Sequence, residues 1–414
     1  MVDNPFIQKK LSRDHFLRAR AEKVIPGGMW GHMSVKALPE GYPQYFSNAK
    51  GSCLTDVDGN KYIDFMCGYG PIILGHKDKD VDTAFVEQLR EIDLANGPSE
   101  KLIDLAELMV DIIPAADWAM FSKNGTDATT ACVMIARSKT GRRKIAVARG
   151  AYHGAAPWCT PRLAGTTSED RSHLVYFNYN DINSLEAAVS SVGDDLAGIL
   201  VSAFRHDTRV DQELPSPTFA RAVREIANRT KSALILDDVR AGFRINLGGS
   251  WESLGIHPDL SAWSKALGNG FPIASVTGKD AYRNSAQQVF VTGSFWCGSA
   301  AMAAAHATIL KLIRIDAISH MEILGNMLRD GIREQARQLG INVRQTGPVQ
   351  MPQILFHEDP EFRLGNLFCI TALKHGVYLH PWHNMFLSAA HSETDIELAL
   401  TATQYGLEAV AAAN

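Results

Sequence analysis

The sequence lacks any apolar run long enough to cross a membrane, since a spanning helix needs about 20 apolar residues in succession. Its first 24 residues are charged throughout and lack the apolar centre of a secretory signal. An excess of one charge is also absent, because 41 basic residues stand against 45 acidic residues and leave a net charge of −4. That balance gives no electrostatic reason to expect nucleic acid or a membrane surface as a partner. We therefore expect a cytoplasmic protein that binds neither.

Cysteine is sparse, and its six residues form neither a CxxC pair nor a spacing typical of metal ligands. A free cysteine behaves as a small apolar residue, and disulfides are rare in a reducing compartment. The sequence therefore predicts buried thiols, without a disulfide or a metal site, at Cys53, Cys67, Cys132, Cys159, Cys297 and Cys369.

Short apolar segments alternate with longer segments of helical periodicity through the middle of the chain. Strands are predicted over residues 118–121, 144–148, 174–177, 198–201, 233–236 and 272–277. Helices are predicted over residues 128–138, 182–189, 216–230 and 300–314. Such alternation is typical of an α/β fold in which helices cover both faces of a mostly parallel sheet.

The two ends of the chain follow other patterns. At the N-terminus we predict an exposed helix that Pro26-Gly27-Gly28 ends, a hairpin at Asp58-Gly59, and helical spacing over residues 81–113. After Asp316 a long helix precedes short segments at 343–346, 353–356 and 377–379 and a last helix from Glu393. Because 414 residues exceed one ordinary domain, we predict a large domain over 71–315. A smaller α+β domain would combine residues 1–70 and 316–414.

A glycine and a hydroxyl residue stand where a predicted strand gives way to a helix, in residues 121–128 (FSKNGTDA). Gly125 and Thr126 would there offer unpaired N–H groups and a favourable dipole to a phosphate. The simpler interpretation is that Thr126 or Asp127 caps the helix without any ligand. This segment alone does not decide between the two.

A carboxylate ends the next informative strand, at Asp237. In open α/β sheets, ligands bind at the carboxyl ends of the strands. A carboxylate at this position keeps a pyridine nitrogen protonated, because an opposite charge stabilises the charged form. The alternative is that Asp237 only caps the following turn.

A lysine, Lys265, follows a strand of apolar and small residues and precedes a glycine-rich turn. Partial desolvation would lower the pKa of this lysine and free a nucleophilic amine for a Schiff base. An exposed turn is the commoner place for lysine, but the flanking Trp263 and Phe271 disfavour full exposure. Just past an earlier strand, Tyr152 could stack on a planar cofactor or serve as a core aromatic.

The order of these segments, with Lys265 28 positions after Asp237, resembles the fold-type I pyridoxal-phosphate enzymes. More narrowly, the chain resembles the class III aminotransferases, the branch that also holds glutamate-1-semialdehyde aminomutase. The resemblance runs from residues 24–28 (VIPGG) through 62–65 (YIDF) and 74–76 (LGH) to the tail. It implies a fold-type I architecture and pyridoxal 5′-phosphate as the cofactor.

The resemblance also implies roles around the cofactor ring. Lys265 would be the Schiff-base lysine and the base that moves the proton. Asp237 would pair with the pyridine nitrogen, Val239 would pack on one face of the ring, and Tyr152 would stack on the other.

The phosphate site that the resemblance implies has two parts. Gly125 and Thr126 would hold the phosphate within one subunit. A hydroxyl from the neighbouring subunit, Ser294 with Thr292 as the alternative, would complete the site. The resemblance therefore implies a homodimer with shared active sites and an inactive monomer.

Four segments look most like the β-amino-acid aminotransferases, such as β-phenylalanine aminotransferase, and the related enzyme that deaminates hydrolysed fumonisin. They are residues 28–32 (GMWGH), 151–158 (AYHGAAPW), 292–296 (TGSFW) and 383–386 (HNMF). This likeness implies a transaminase that moves an amino group from an amine or β-amino acid to a keto acid such as pyruvate. Trp30, Trp158 and Trp382 are predicted to line the substrate pocket, with core or interface packing as the alternative.

Two other functions remain to be weighed. An aminomutase or racemase would use the same cofactor without an external acceptor, and turnover of a single substrate without keto acid would reveal it. A non-catalytic regulator of this superfamily would carry a DNA-binding arm, for which this acidic chain has no basic patch. The presence of Lys265 also argues against a catalytically inactive protein.

The substrate carboxylate is a separate question. The β-amino-acid enzymes bind it with two arginines, whose positions read Ala37 and Trp382 here, with Lys36 on the opposite face of an extended segment. An indole in place of a guanidinium predicts an apolar wall and a preference for hydrophobic or extended amines without a nearby carboxylate. The keto acid could still be bound by one of three other arginines, Arg162, Arg205 or Arg240.

Overall fold

The computed structural model describes residues 11–413, so the part of the predicted N-terminal helix before residue 11 lies outside the described residues. Within that range the chain divides into two compact units. The small unit comprises the described parts of Met1–Asp78 and Ser319–Asn414 together with the short segment Thr208–Asp211. The large unit comprises Lys79–Asp207 and Gln212–Ile318. The domain boundaries at residues 70 and 315 stay a prediction.

Helices account for much of both units. In the described residues they are α1 (Ser12–Ala21), α2 (Lys79–Glu91), α3 (Lys101–Ile112), α4 (Gly125–Thr140), α5 (Ile182–Ser190), α6 (Pro217–Thr230), α7 (Arg283–Gln288), α8 (Ser299–Arg314), α9 (Ala317–Gln338), α10 (Arg363–Lys374) and α11 (Glu393–Ala413). The four helices predicted in the middle of the chain are confirmed as α4, α5, α6 and α8, with ends that differ by a few residues.

The strands are short. Along the described chain they are β1 (Phe46–Lys50), β2 (Cys53–Asp56), β3 (Lys61–Asp64), β4 (Trp118–Ser122), β5 (Lys144–Ala148), β6 (Leu174–Phe177), β7 (Leu196–Ser202), β8 (Ala233–Asp237), β9 (Leu260–Trp263), β10 (Ala274–Gly278), β11 (Val343–Thr346), β12 (Gln353–Phe356) and β13 (Val377–Tyr378).

The large unit is built on a seven-stranded sheet in the order β4-β10-β9-β8-β7-β5-β6. Strands β6, β5, β7, β8 and β9 run parallel to one another, as predicted for most of the sheet. The strand predicted at 272–277 is β10, and it runs antiparallel to both β9 and β4. The sheet is therefore mostly parallel, with its reversal near one edge. Strands β8 and β9 are adjacent and parallel, which brings their carboxyl ends to the same edge.

Alternation along the strands explains why helices lie on both faces of this sheet. Ile145 and Val147 of β5 belong to a core cluster shared with α4, whereas Ala146 and Ala148 belong to a second cluster shared with α5 and α6. Successive side chains of a strand point to opposite faces, so both faces of β5 are buried. Strand β7 is buried along its whole length for the same reason.

The small unit contains a four-stranded sheet in the order β1-β2-β3-β13 and a two-stranded ribbon of β11 and β12. The hairpin predicted at Asp58-Gly59 is confirmed, because β2 and β3 pair antiparallel on either side of it. The C-terminal strand β13 joins the sheet parallel to β3. The N-terminal segment and the tail therefore share one sheet.

The helices differ from the sequence analysis in two places. The spacing over residues 81–113 belongs to two helices, α2 and α3, and the nine residues between them include Gly97-Pro98, which disfavours a continuous helix. Helix α10 was not predicted at all. It contains Gly365, whose added Cβ would lie 3.1 Å from the Pro381 carbonyl oxygen, so close packing outweighed the poor helix propensity of glycine.

The exposure of the cysteine side chains differs in part from the predicted burial. All six cysteines are free, and Cys67, Cys132 and Cys369 are buried. Cys53 and Cys159 are half-buried and Cys297 is exposed, so burial was predicted correctly for only part of the set. None of the helices in residues 11–413 is long and apolar enough to cross a membrane.

Candidate active site

The predicted phosphate loop lies between β4 and α4. Asn124 caps the helix, since its side chain accepts a hydrogen bond from Asp127 N at 3.2 Å, while the Asp127 carboxylate accepts one from Asn124 N at 3.1 Å. This reciprocal cap engages Asp127, whereas the Thr126 hydroxyl accepts a hydrogen bond from Ala155 N at 3.1 Å. The N–H groups of Gly125 and Thr126 belong to the first turn, where the helix itself supplies no acceptor. Helix capping and anion binding are therefore compatible here.

Two glycines let the backbone come close around this loop. A Cβ added to Gly125 would lie 2.6 Å from Val239 Cγ1, and one added to Gly154 would lie 2.5 Å from Thr126 Oγ1. Gly154 also has a φ of +129°, a conformation that other residues rarely adopt. The loop, Val239 and the segment after Tyr152 are thus in direct contact.

Asp237 is the last residue of β8 and is buried. Its Oδ1 accepts a hydrogen bond from Val239 N at 3.1 Å, which is the turn-capping role left open above. Its Oδ2 lies 2.7 Å from Nδ1 of His153, which is also buried. One carboxylate oxygen therefore holds the turn, and the other holds an imidazole.

His153 was missed by the sequence analysis, although the quoted run Ala151-Tyr152-His153-Gly154 contains it. Its Nε2 is buried without a hydrogen-bond partner among residues 11–413. Its backbone carbonyl accepts a hydrogen bond from the Thr129 hydroxyl at 2.7 Å, which fixes the segment to α4. The Asp237 carboxylate accepts a hydrogen bond when Nδ1 of His153 carries the proton, and this contact orients the buried carboxylate.

Lys265 begins a short 3₁₀ turn, Lys265–Gly268, two residues after β9 ends, and its side chain is partly buried. Its φ of +47° is in the left-handed region, an uncommon conformation that recurs at functional sites. Burial and, to a smaller extent, the Arg240 guanidinium lower the pKa of its ammonium group to about 7, against the opposing charge of Asp237. A substantial fraction of Lys265 is therefore the neutral, nucleophilic amine near neutral pH.

The aromatic candidates of the large unit differ from each other. Tyr152 is exposed at the sheet edge, and desolvation raises the pKa of its hydroxyl. Trp158 packs against the core cluster of α4 and donates from its indole nitrogen to the Thr130 hydroxyl at 3.1 Å. These contacts support the packing interpretation of Trp158, whose role in substrate binding stays a prediction.

Thr292 and Ser294 lie in the segment between α7 and α8, and both are exposed. Two aromatic neighbours are exposed as well, Phe290 at 86% and Phe295 at 65%. Exposed aromatic side chains at this density are typical of protein contact surfaces. A role for either hydroxyl at a phosphate stays a prediction.

The candidates of the small unit require two corrections. Residues Val35–Ala37 form a 3₁₀ turn and not an extended segment, and Lys36 lies 3.7 Å from the Glu22 carboxylate. The argument that an offset of one residue sends Lys36 to the opposite face is therefore wrong. Trp30 is exposed, as a pocket or interface residue would be in a single chain.

The sequence analysis predicts an apolar wall at Trp382, but the structure places a guanidinium against its ring. The Arg209 guanidinium carbon lies 4.8 Å from the centre of the Trp382 ring, and Arg209 N donates to the Trp382 carbonyl at 3.0 Å. Sequence position could not reveal this pair, because 173 residues separate the two side chains.

The residues of the large unit fit pyridoxal phosphate. First-turn N–H groups suit the phosphate, the buried Asp237 suits a protonated ring nitrogen, and Lys265 suits the aldehyde carbon. The orphaned Nε2 of His153 shows that this buried polar cluster has capacity for a further partner. No group of three or more potential metal ligands is present in the described part of the chain. The fold and these side chains together define a pyridoxal-phosphate-dependent enzyme of fold type I.

Comparison with known proteins identifies the family within this class. The sequence profile of the family Aminotransferase class-III matches residues 38–394. Aminopentol aminotransferase from Sphingopyxis macrogoltabida is 45% identical over 399 residues, covering 96% of this chain and 94% of that protein. 3-Aminobutyryl-CoA aminotransferase from Cloacimonas acidaminovorans is 33% identical over 407 residues, covering 97% and 98%. A glutamate-1-semialdehyde 2,1-aminomutase from Chlorobium phaeovibrioides is 31% identical over 431 residues, covering 97% and 99%.

A solved structure of a related protein has the same fold. The FumI protein of Sphingopyxis sp. MTA144, in its PLP internal aldimine form, superposes with a TM-score of 0.95 at 46% identity, covering 96% of each chain. The chain belongs to the class III aminotransferases. It is a transaminase with pyridoxal 5′-phosphate as its cofactor, an amine as donor and a keto acid as acceptor. The predicted family, fold type, cofactor and reaction are thereby confirmed.

Proposed function

We propose that Lys265 is the residue that binds the aldehyde carbon of pyridoxal phosphate and moves the proton during transamination. The observation that carries this assignment is the lowered pKa of its ammonium group, about 7, at the strand edge shared with Asp237. A lysine with its ordinary pKa of 10.5 would be protonated at neutral pH and could not act as a nucleophile.

Pyridoxal phosphate, when bound, supplies an electron-accepting ring that stabilises negative charge at the carbon from which a proton leaves. Asp237 would hold the proton on the ring nitrogen, and His153 would keep Asp237 oriented through the 2.7 Å contact. Val239 and Tyr152 would bind the two ring faces. Lys265 Nζ would take the proton from the carbon that bears the amino group of the donor.

The phosphate would be held by Gly125 and Thr126 at the start of α4, with Ser294 of a second subunit, or Thr292, completing the site. The exposed aromatic residues Phe290 and Phe295 beside those hydroxyls support a homodimer, because apolar surface of this kind is usually buried in a contact. Light scattering of the purified protein should give a mass of two chains. A monomer with full activity would refute the shared site.

The donor would be an uncharged, hydrophobic or extended amine without a nearby carboxylate. Support comes from the relative of 45% identity, whose name gives an aminopentol as its substrate. The tryptophans Trp30 and Trp382 would provide apolar contacts to such an amine. We also propose that the protein works in the cytoplasm, where its six free cysteines would stay reduced.

A coupled assay tests the function. Pyruvate would be the acceptor, with β-phenylalanine and its carboxylate-free counterpart 1-phenylpropylamine as a matched pair of donors. We expect the higher kcat/KM for the amine, and a clear preference for the β-amino acid would contradict the donor assignment. Lys265→Ala should abolish transfer and the visible absorbance of the lysine-bound cofactor. An alanine variant that keeps both would remove Lys265 from this role.

A further inference from the structure

A guanidinium of the small unit is held on an aromatic surface without a carboxylate to neutralise it. Arg209 is exposed, and its guanidinium carbon lies 4.8 Å from the centre of the Trp382 ring and 5.5 Å from the centre of the Phe362 ring. All three residues belong to the small unit. Arg209 forms no ion pair with any residue of the described range 11–413. Its positive charge can therefore serve an anion that comes from outside the chain.

The backbone keeps Arg209 at this position. Arg209 N donates to the Trp382 carbonyl oxygen at 3.0 Å, and the φ of Arg209 is +72°, in the left-handed region that an arginine rarely adopts. Two residues further on, the Asp211 carboxylate lies 3.0 Å from the guanidinium of Arg344 in β11. An uncommon backbone conformation that neighbouring contacts enforce is a recurring feature of functional sites. The segment Thr208–Asp211 is therefore fixed to the small unit, which limits the positions open to the guanidinium.

The carboxylate beside Phe362 has another role. Phe362 N donates to the Asp359 carbonyl oxygen at 3.1 Å, which places Asp359 at the start of α10. The two carboxylate oxygens of Asp359 accept hydrogen bonds from Arg363 N at 2.6 Å and from Gly365 N at 2.9 Å. Asp359 therefore caps the helix, as an acceptor for N–H groups that the helix itself leaves unsatisfied.

His380, on the other side, adds no second charge. The centre of its ring lies 4.3 Å from that of Trp382, and its Nδ1 accepts a hydrogen bond from His383 N at 3.1 Å. An imidazole whose Nδ1 accepts a hydrogen bond is neutral. Burial and, second to it, the charge of Arg209 lower the pKa of His380 to about 3. The positive charge beside Trp382 therefore comes from Arg209 and not from His380.

A guanidinium that lies over a ring keeps its N–H groups for other partners. The attraction to the ring uses the face of the guanidinium, whereas hydrogen bonds are donated in its plane, at the edge. A carboxylate matches that edge through two parallel hydrogen bonds. The indole of Trp382 presents an apolar surface next to the same group. The pair therefore suits a molecule in which a carboxylate is attached to an apolar group.

We propose that Arg209 and Trp382 form a binding site for an organic carboxylate, in which the guanidinium binds the carboxylate and the indole contacts the apolar part. The keto acid is the substrate of this transaminase that always carries a carboxylate, whereas the proposed donor carries none. Arg209 is therefore the specificity-determining residue for the acceptor. This assignment rests on the proposed function, in which Trp382 contacts the substrate. Of the arginines considered from the sequence, Arg205 already pairs with the Glu213 carboxylate at 3.0 Å.

Binding of 3-phenylpropionate and of its uncharged counterpart 3-phenylpropan-1-ol tests the site directly. In titration calorimetry of the holoenzyme, Arg209→Met should bind the carboxylate at least about 5-fold more weakly than wild type does. Its affinity for the alcohol should change by less than about 2-fold, because methionine keeps an apolar contact with the ring. Arg149→Met is the matched control, since Arg149 is also exposed and its guanidinium carbon lies 5.6 Å from the centre of the Tyr176 ring. That variant should keep both wild-type affinities.

Acceptor kinetics test the assignment to the keto acid. One carboxylate-free amine serves as donor, with pyruvate and propanal as acceptors that differ in the carboxylate. Arg209→Met should lower kcat/KM for pyruvate by about 10-fold, chiefly through a higher KM, because an ionic contact to the acceptor is lost. Its kcat/KM for propanal should change by less than about 3-fold. Arg209→Lys, which keeps the charge but not the planar fork, should fall between wild type and Arg209→Met.

The outcomes are distinct. Unchanged affinity for 3-phenylpropionate in Arg209→Met overturns the site. Lower affinity with an unchanged pyruvate-to-propanal ratio overturns its assignment to the acceptor, and so does collapse of that ratio in Arg162→Met or Arg240→Met instead. If Arg209→Met fails to fold, as judged by circular dichroism, Arg209→Lys alone decides. Unchanged KM values for amine and pyruvate in Trp382→Leu refute the pocket role of Trp382 in the proposed function, whereas the calorimetry still decides the carboxylate site.

Discussion

Lys265 should destabilise the cofactor-free protein, and replacing it with methionine should raise the free energy of unfolding. The pKa of the ammonium group is 10.5 in an unfolded chain and about 7 in the folded protein, chiefly because of burial. Protonation is therefore less favourable in the folded state. Methionine has a similar length, carries no charge and adapts to irregular surroundings, so Lys265→Met removes the cost without leaving a cavity.

The sign and size of the effect follow from the two pKa values. Below pH 7 both states are protonated and the folded protein bears the full cost. Between pH 7 and pH 10.5 only the unfolded chain keeps the proton, so the free energy of unfolding rises with pH. The whole difference corresponds to about 5 kcal/mol. Because Lys265 is partly exposed and water screens its charge, we expect about 2 kcal/mol.

Thermal unfolding of cofactor-free protein tests this expectation. At pH 6 the midpoint of Lys265→Met should exceed that of wild type by about 5 °C, given about 2 to 4 °C per kcal/mol for a domain of this size. The difference should shrink at pH 9.5. Lys50→Met, at an exposed position of β1, serves as the control, and its unfolding midpoint should match that of wild type at both pH values. A Lys265→Met midpoint at or below wild type at pH 6, or a difference independent of pH, would refute the desolvation argument.

The remaining predictions concern the cofactor. Asp237→Asn should fold and lower kcat at least about 100-fold, because the ring nitrogen loses its counter-charge; near-normal turnover would exclude Asp237. His153→Leu should lower kcat by about 10-fold with cofactor still bound, since Asp237 loses its 2.7 Å partner, and an unchanged kcat would show that the contact is only structural. Gly125→Ala should weaken cofactor binding by about 10-fold or more in equilibrium dialysis, because the Cβ would lie 2.6 Å from Val239 Cγ1. Ser294→Ala should also weaken cofactor binding but leave kcat unchanged at saturating cofactor; equal affinity would contradict the shared phosphate site.

The sequence predicted the elements of the large unit well, because its strands are buried on both faces and bounded by helices of clear periodicity. Residues 144–148 and 174–177 match β5 and β6 to the residue. The antiparallel course of β10 could not be predicted, since strand direction leaves no trace in local hydrophobicity. Helix α10 was missed because its glycine and β-branched residues favour helix only once they are packed.

The candidate site was predictable where spacing along the chain determines proximity. Asp237 ends β8 and Lys265 follows the end of β9 by two residues, and because these strands are adjacent and parallel, both residues lie at the same edge of the sheet. His153 was missed because its partner lies 84 residues away, and a histidine beside a tyrosine has no distinguishing local pattern. The guanidinium over Trp382 was missed for the same reason, as Thr208–Asp211 joins the small unit from within the sequence of the large one.

The charges at the carboxyl edge of the sheet bear on the proposed roles of Lys265 as nucleophile and base. Burial and the Arg240 guanidinium together lower the pKa of Lys265 to about 7, whereas Asp237 alone would raise it. The His153 contact weakens the effect of Asp237 on the pKa of Lys265, because a hydrogen bond from the imidazole diminishes the electric field of the carboxylate. Loss of Arg240 should therefore raise the pKa of Lys265. The pH profile of kcat/KM tests this effect, because its acidic limb should move to higher pH in Arg240→Met. An unmoved limb would mean that burial alone sets the pKa of Lys265.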